Sequence, residues 1–150
     1  MGDLASHGDK GDKIEVLRLL LDAGAKTEIR EVSGGTALSF ACGKNHEASI
    51  KLLLDYWADP NIATNAGAMP LTIAARHGSV GVMRLLIERQ ADINAVDPSC
   101  EGMTALHIAC TMEYVECVEV LLHSGGCDTT MRDQNGKQAA WKQLLGRRKA

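Results

Sequence analysis

Apolar residues recur along the chain in pairs of short helical patterns separated by glycine. In the stretch from Gly67 to Asp97, Pro70 suits a first helical position, and the narrow apolar run that follows it ends before Gly78. A second pattern, from Val80 to Arg89, has a wide apolar stripe with its polar residues left for water. This stretch predicts two short helices, which need neighbours to bury their apolar faces.

The same pattern returns at a fixed interval. Two sets of equivalent positions show it: Leu20, Leu53, Leu86 and Leu121 are separated by 33, 33 and 35 residues, and Thr36, Met69 and Thr104 by 33 and 35. Further helices are predicted at about Thr36–Lys44, Glu47–Tyr56, Thr104–Met112 and Val115–Ser124. The chain is therefore predicted to be a stack of about four helical units, whose stability comes from contacts between neighbours.

The two ends of the chain depart from this pattern. Lys13 to Ala23 predicts a second helix, but Leu4 to Asp12 is too short and too rich in glycine for a full first helix. We therefore expect the array to start inside a unit, with nothing obvious covering the Leu17 to Leu21 side. At the other end, Asn135 to Ala150 predicts one closing helix that caps the stack.

Composition limits the core and the class of partner. The 150 residues include one Phe, two Tyr and two Trp, so the core must be aliphatic and rich in alanine. A net charge of −3 gives no electrostatic reason to expect a nucleic acid or an anionic membrane as partner. No apolar run approaches membrane-spanning length, and the first residues contain no signal-peptide core. The five cysteines predict reduced core thiols, so we expect a cytoplasmic or nuclear protein.

Three tracts carry a recognisable motif. They read GGTALSFACGKN from Gly34, GAMPLTIAARHG from Gly67 and GMTALHIACTME from Gly102, and each precedes a leucine-rich helix and a hairpin entry such as ADPN or ADIN. These tracts resemble the ankyrin repeat, whose pattern runs roughly G-x-T-P-L-H-x-A-A-x-x-G-H and later G-A-D-x-N-A-x-D. The resemblance covers nearly the whole chain.

The resemblance implies an all-α solenoid of stacked helix-turn-helix units with hairpin loops. Within a single domain spanning 1–150 it assigns a partial N-terminal repeat, three repeats and a C-terminal capping helix, at 1–33, 34–66, 67–101, 102–135 and 136–150. We call the first four segments units 1 to 4. An open stack of this kind presents an extended surface.

The resemblance further implies a non-catalytic module that binds a protein partner. Ankyrin repeats usually bind through hairpin tips and the outer positions of the first helices, which line a concave groove. The corresponding positions are Arg30, Ser33, Lys44, Asn65, Arg76, His77, Pro98, Ser99, Glu101, Met103, Thr111, Met112 and Arg132. The alternative is a targeting or regulatory segment of a larger multidomain protein. We expect a monomer, with self-association through the N-terminal partial repeat left open, and no cofactor.

An enzymatic interpretation rests on three side chains. His107 and Cys110 lie three residues apart on one helix face and Cys117 follows, as a nucleophile with its base or a zinc site would require. The repeat favours another interpretation, because Cys42 and Cys110 occupy the place of the small residue Ala75. By resemblance, His107 braces the adjoining loop through hydrogen bonds. We therefore predict no catalytic, cofactor-binding or metal site.

Asn61 and Asn94 stand at the hairpin asparagine of the family pattern. Their setting resembles the sites that an asparagine hydroxylase modifies in other ankyrin proteins, so both are candidate hydroxylation sites. The favoured interpretation is conformational, since asparagine supports turns by bonding its own backbone.

Two features are individual to this chain. Trp57 stands at a helix end where a left-handed backbone is common, and we expect it to pack over that helix end rather than form an exposed aromatic contact. The hairpin at Pro98 to Glu101 carries two extra residues. Such an insertion suits a binding loop and tolerated drift equally well.

Overall fold

The computed structural model describes the backbone of residues 2–149, and the side chains of residue 11 and residues 13–147. The α-helices are α1 (Gly2–Asp22), α2 (Ala37–Gly43), α3 (Glu47–Asp55), α4 (Pro70–Arg76), α5 (Val80–Glu88), α6 (Ala105–Thr111), α7 (Val115–His123) and α8 (Trp141–Lys149). A 3₁₀ turn covers Pro98–Cys100, and β-type pairing within the described chain is limited to two isolated bridges. The all-α class is confirmed. None of the described helices combines the length and the apolarity needed to cross a membrane.

The helices stack in two rows. The first helices of units 2 to 4 (α2, α4 and α6) contact one another in turn, and so do the second helices (α1, α3, α5 and α7). Equivalent leucines fill the core of both rows: Leu38, Leu71 and Leu106 in the first helices, and Leu53, Leu86 and Leu121 in the second, are at most 2 % exposed. Residues that are 33 or 35 positions apart in the sequence therefore occupy equivalent buried positions in successive units.

Local capping explains where the first helices begin. Thr36 accepts a hydrogen bond from the Ser39 backbone N–H, and the Ser39 hydroxyl accepts one from the Thr36 N–H at 2.9 Å. Thr104 and His107 make the same reciprocal pair at the start of α6. In α4, Met69 has no side-chain oxygen for this role, but Thr72 still accepts from the Met69 N–H at 3.0 Å.

The N-terminal segment differs from the expectation. Residues 2–12 do not lack a helix; they continue α1 without a break, so α1 runs from Gly2 to Asp22. The glycines in this stretch weaken a helix, but no proline ends it, and extending an existing helix costs far less than nucleating one. No first helix therefore folds back beside α2 in unit 1.

The C-terminal segment also differs from the expectation. The closing helix begins at Trp141 rather than at Asn135, because residues before it form a fourth hairpin. Asp133 directs this turn: its carboxylate accepts hydrogen bonds from the N–H groups of Asn135 at 2.8 Å and Lys137 at 3.0 Å. Gly136 adopts a φ of +73° within it. Helix α8 contacts α6 and α7.

The expectation that Trp57 packs over its own helix end is wrong. Its side chain is 91 % exposed and its φ is +64°. The left-handed backbone turns the chain away from α3, and the ring follows it into solvent. The neighbouring Tyr56 is half-buried instead and donates a hydrogen bond to Asp22 of α1.

Candidate protein-binding surface

Four hairpin tips project from the loops that precede the first helices and the C-terminal segment. We define tip 1 as Glu31–Gly35, tip 2 as Thr64–Ala68, tip 3 as Asp97–Met103 and tip 4 as Asp133–Lys137. In each tip the first N–H donates to the last carbonyl, at 3.0, 2.9, 2.8 and 2.9 Å in chain order. A glycine with positive φ lets each tip turn tightly.

Hydrogen bonds join some neighbouring tips and leave others separate. The Asn65 N–H donates to the Ser33 carbonyl at 2.8 Å, which joins tips 1 and 2, and the Gln134 N–H donates to the Glu101 carbonyl at 2.9 Å, which joins tips 3 and 4. Among the described residues, no backbone hydrogen bond joins tips 2 and 3. There the Pro98 ring packs on Gly67, where a Cβ atom would lie 2.7 Å from it. Pro98 holds the place of Asn65 and Gln134 in tip 3 and has no N–H to donate, so the ladder is interrupted there.

The tips and the first helices share one side of the stack, and we call this side the concave surface, after the groove that the family resemblance implies. A cavity of about 240 Å³ lies between tips 1 and 2 and helices α2 and α4, and Ser33, Lys44, Phe40, Thr64 and Ile73 are among the residues that line it. The Lys44 ammonium lies 5.8 Å from the centroid of the Phe40 ring, which is 63 % exposed. A partner side chain entering here meets an aromatic face beside a cation.

Several predicted binding residues are engaged within the fold. Arg30 donates to the carbonyls of Gly34 at 2.9 Å and Ala63 at 2.7 Å, and Arg132 donates to the Gly136 carbonyl at 2.6 Å. Other members of the set make further internal contacts: Ser33 donates to Glu31, Asn65 to the Val32 carbonyl, Thr111 to the His107 carbonyl, and Glu101 accepts from Asn135. Because these side chains hold the tips in shape, only the part of their surface that these contacts leave exposed is available to a partner.

Tip 3 is anchored by Asp97, a residue that sequence reasoning missed. Its side chain is fully buried, and one carboxylate oxygen accepts from both the N–H and the hydroxyl of Ser99. The other oxygen has no hydrogen-bond partner and lies 3.5 Å from Arg76 Nη2. Arg76, expected to meet a partner, thus compensates a buried charge. An Asp one residue before Pro could have suggested an Asx turn.

Three predicted residues form a row along the concave surface. Lys44, His77 and Met112 directly follow α2, α4 and α6, at separations of 33 and 35 residues, and all three are exposed. Among the remaining predicted residues, Pro98 is exposed, whereas Met103 is half-buried against the core. Phe40 was not predicted as a binding residue, because its place in the repeat is apolar in units 2 to 4, as a core position would be.

His107 has the structural role that the resemblance implied. It is 4 % exposed, and its Nε2–H donates to the Lys137 carbonyl at 3.0 Å, which ties α6 to tip 4. Because Nε2 carries the proton, Nδ1 is the ring nitrogen that accepts a hydrogen bond. It receives the Thr104 N–H at 3.3 Å and lies 2.9 Å from the Thr104 hydroxyl. Both ring nitrogens are occupied.

The cysteines behave as small core residues. Cys42, Cys110 and Cys117 are buried, and burial raises the pKa of Cys42 and of Cys110 to about 12. At neutral pH these two groups are protonated thiols, which are poor nucleophiles. In the part of the chain that the structure describes, no three histidine, cysteine or acidic side chains are placed to hold a metal ion together.

Asn61 and Asn94 join the bases of successive hairpins. The Asn61 side chain accepts from the Asp92 N–H at 2.7 Å and donates to the Gln90 carbonyl at 3.2 Å. The Asn94 side chain accepts from the Asp128 N–H at 2.7 Å and donates to the Gly126 carbonyl at 2.9 Å. These contacts favour the conformational interpretation, and hydroxylation at either residue stays a prediction.

The stacked units and their tips agree with comparison to known families. A family model described as "Ankyrin repeats (3 copies)" matches residues 4–97 and 57–133, which together span most of the chain. A comparison with curated proteins returned no match. Ankyrin repeats are generally protein–protein interaction modules and typically non-catalytic. On the repeats, the fold and this match, the chain belongs to the ankyrin-repeat family.

Proposed function

We propose that this chain is a non-catalytic module that binds a protein partner through its concave surface. The proposal rests on the row formed by Lys44, His77 and Met112. One repeat position holds a cation, an imidazole and a thioether in three successive units, although the helices around it repeat one pattern. A position that stacking does not constrain is available for recognition.

The surroundings of this row suit a peptide or protein surface of mixed character. Phe40 and Met112 offer exposed apolar area, and Lys44 supplies a charge next to the Phe40 ring. Aromatic residues and methionine are enriched at protein interfaces, and methionine adapts its shape to a partner. A targeting or regulatory segment of a larger multidomain protein would use the same surface.

The test is a comparison of two charge-matched triple variants. The concave variant carries Lys44→Glu, His77→Glu and Met112→Glu. The control carries Arg84→Glu, His123→Glu and Trp57→Glu, three exposed residues on or directly after the second helices. Each variant exchanges one cation, one histidine and one large apolar residue for glutamate, so the net charge changes equally.

Immobilised wild-type chain is used to capture partners from cell extract, with identification by mass spectrometry, and binding of each purified partner is then measured directly. We expect a partner that binds the wild type and the control but binds the concave variant at least about 100-fold more weakly, as the loss of a hot spot implies. Equal helical circular dichroism must accompany the loss. Partners that survive the concave variant and are lost from the control would contradict the proposal and place recognition on the second-helix side.

A further inference from the structure

Apolar side chains are exposed on α1, on the loop after it and on α2. We define the N-terminal face as Val16, Leu19, Leu20, Ile29 and Phe40, which are 55, 60, 54, 68 and 63 % exposed. In α1, Val16, Leu19 and Leu20 lie opposite Ile14, Leu17 and Leu21, which pack on the core. The helix is therefore apolar on two sides, and one of them is exposed, without a neighbour among the residues that the structure describes.

Equivalent residues in the other units show what this side is suited to contact. Leu20 is 54 % exposed, whereas its counterparts Leu53, Leu86 and Leu121 are 2, 0 and 0 % exposed. Leu19 is 60 % exposed, whereas its counterpart Leu52 is buried and its counterparts Leu85 and Val120 are half-buried. Inside the stack, the second helix of each unit contacts the second helix of the preceding unit, and the leucines at these positions are buried there. The N-terminal face thus continues the chain's own stacking interface.

A cavity lies where unit 1 lacks a first helix. It has a volume of about 410 Å³, and Leu17, Ile29, Phe40, Ala41 and Leu53 are among its lining residues. The backbone before Lys13 extends α1 instead of folding back beside α2, so the cavity stays open. An apolar side chain from another molecule could fill this cavity.

The opposite end of the stack is closed. Helix α8 packs on α6 and α7, with Leu144 only 8 % exposed and Trp141 and Leu145 half-buried against the core. The apolar stacking interface is therefore available at one end of the chain. Two copies that both use this interface meet face to face, and such a two-fold contact closes at two copies.

The charged residues around the N-terminal face do not oppose this face-to-face contact. Residues 13–31 contain four cations (Lys13, Arg18, Lys26, Arg30) and four anions (Glu15, Asp22, Glu28, Glu31). The segment is neutral overall, so apposing two copies of it brings no net repulsion. The same balance gives an acidic or a basic macromolecule no electrostatic advantage at this face.

We propose that two copies of the chain associate through their N-terminal faces as a closed two-fold dimer. Each copy supplies the apolar neighbour that the preceding unit supplies elsewhere in the stack. The five residues expose about 500 Å² per copy, so a dimer buries about 1,000 Å², the lower bound for a specific interface. The dimer is accordingly expected to form in the micromolar range. This departs from the monomer expected from the sequence.

The test is the mass of the full chain in solution, measured by sedimentation equilibrium across the micromolar range. The wild type should rise from 16.1 kDa towards twice that mass and no further. In a two-fold interface each substitution is present twice, so Leu20→Glu should raise the dimer dissociation constant at least about 100-fold. Met112→Glu is the matched control, because Met112 is 48 % exposed and directly follows α6, away from the N-terminal face, and it should dimerise as the wild type does.

A second variant guards against misfolding of the first. Leu19→Glu replaces another exposed residue of the same face, and both variants should keep wild-type helical circular dichroism. A wild-type mass of 16.1 kDa at every concentration would overturn the proposal and assign the face to a different chain. A mass that grows beyond two copies, or equal loss of dimer in Met112→Glu, would overturn it as well.

Discussion

His107 is the side chain through which unit 4 holds tip 4. Replacing it with alanine leaves the Lys137 carbonyl and the Thr104 N–H without their partners, and both lie next to a buried side chain. We expect His107→Ala to lower the free energy of unfolding by about 2 kcal/mol. Urea denaturation followed by circular dichroism measures the change.

His107→Ser separates the two contacts. In unit 2 the equivalent residue Ser39 completes the cap of Thr36, so serine at 107 should restore the bond to Thr104 and leave the Lys137 carbonyl unpaired. Its free energy of unfolding should fall between those of the wild type and His107→Ala. Equal values for the serine and alanine variants would contradict a capping role for the ring.

At the residue scale, the sequence predicted where side chains lie along the repeat better than it predicted which groups they bind. Arg30 and Arg132 directly precede tips 1 and 4 and Arg76 ends α4, but their hydrogen bonds and ion pair turn inward. A long polar side chain bonds whichever carbonyl or carboxylate lies within reach, and that depends on the neighbouring unit. The short side chain of His107 left fewer options, so its role could be predicted.

At the scale of single elements, the end of α3 carries avoidable strain. Trp57 has a φ of +64° at a position where unit 1 has Gly24 with a φ of +88°. A non-glycine residue in this region costs about 1 kcal/mol, and the 91 % exposed ring recovers little by packing. Trp57→Gly should therefore raise the free energy of unfolding by about 1 kcal/mol, measured by thermal and urea denaturation.

Gln90 is the matched position after α5. It is exposed with a φ of +66°, so Gln90→Gly should stabilise the chain by a similar amount. If Trp57→Gly destabilises the chain while Gln90→Gly stabilises it, the ring packs more than its exposure indicates.

The helices inside the repeats were predictable to within about two residues, because their signals are local: apolar spacing, a capping hydroxyl and a glycine or polar stop. The terminal elements were not. Residues 2–12 continue α1 instead of folding back beside α2, and Asn135-Gly136 turns the chain before α8 can begin. Where a neighbour decides the conformation, a pattern read from one segment is insufficient.

At the scale of the whole molecule, stability should follow the number of neighbours that each helix has. Helix α4 packs on α2, α5 and α6, whereas α1 packs chiefly on α3. In a stack whose stability is a sum of local and nearest-neighbour contributions, the helix with fewest neighbours opens first. The amides of residues 13–22 should therefore exchange with solvent at least about tenfold faster than those of α4.

Hydrogen exchange at two protein concentrations makes this a test of the stack and of its open end together. In dilute solution α1 should exchange first, α4 last, and α8 in between, because α8 covers its end of the core while no described residue covers the outer side of α1. At a concentration where the dimer forms, α1 should slow selectively, because its exposed leucines gain a neighbour. In Leu20→Glu the exchange of α1 should be fast at both concentrations. Exchange in α1 as slow as in α4 in the dilute wild type would contradict the nearest-neighbour account, since it would require stability that no contact in the stack provides.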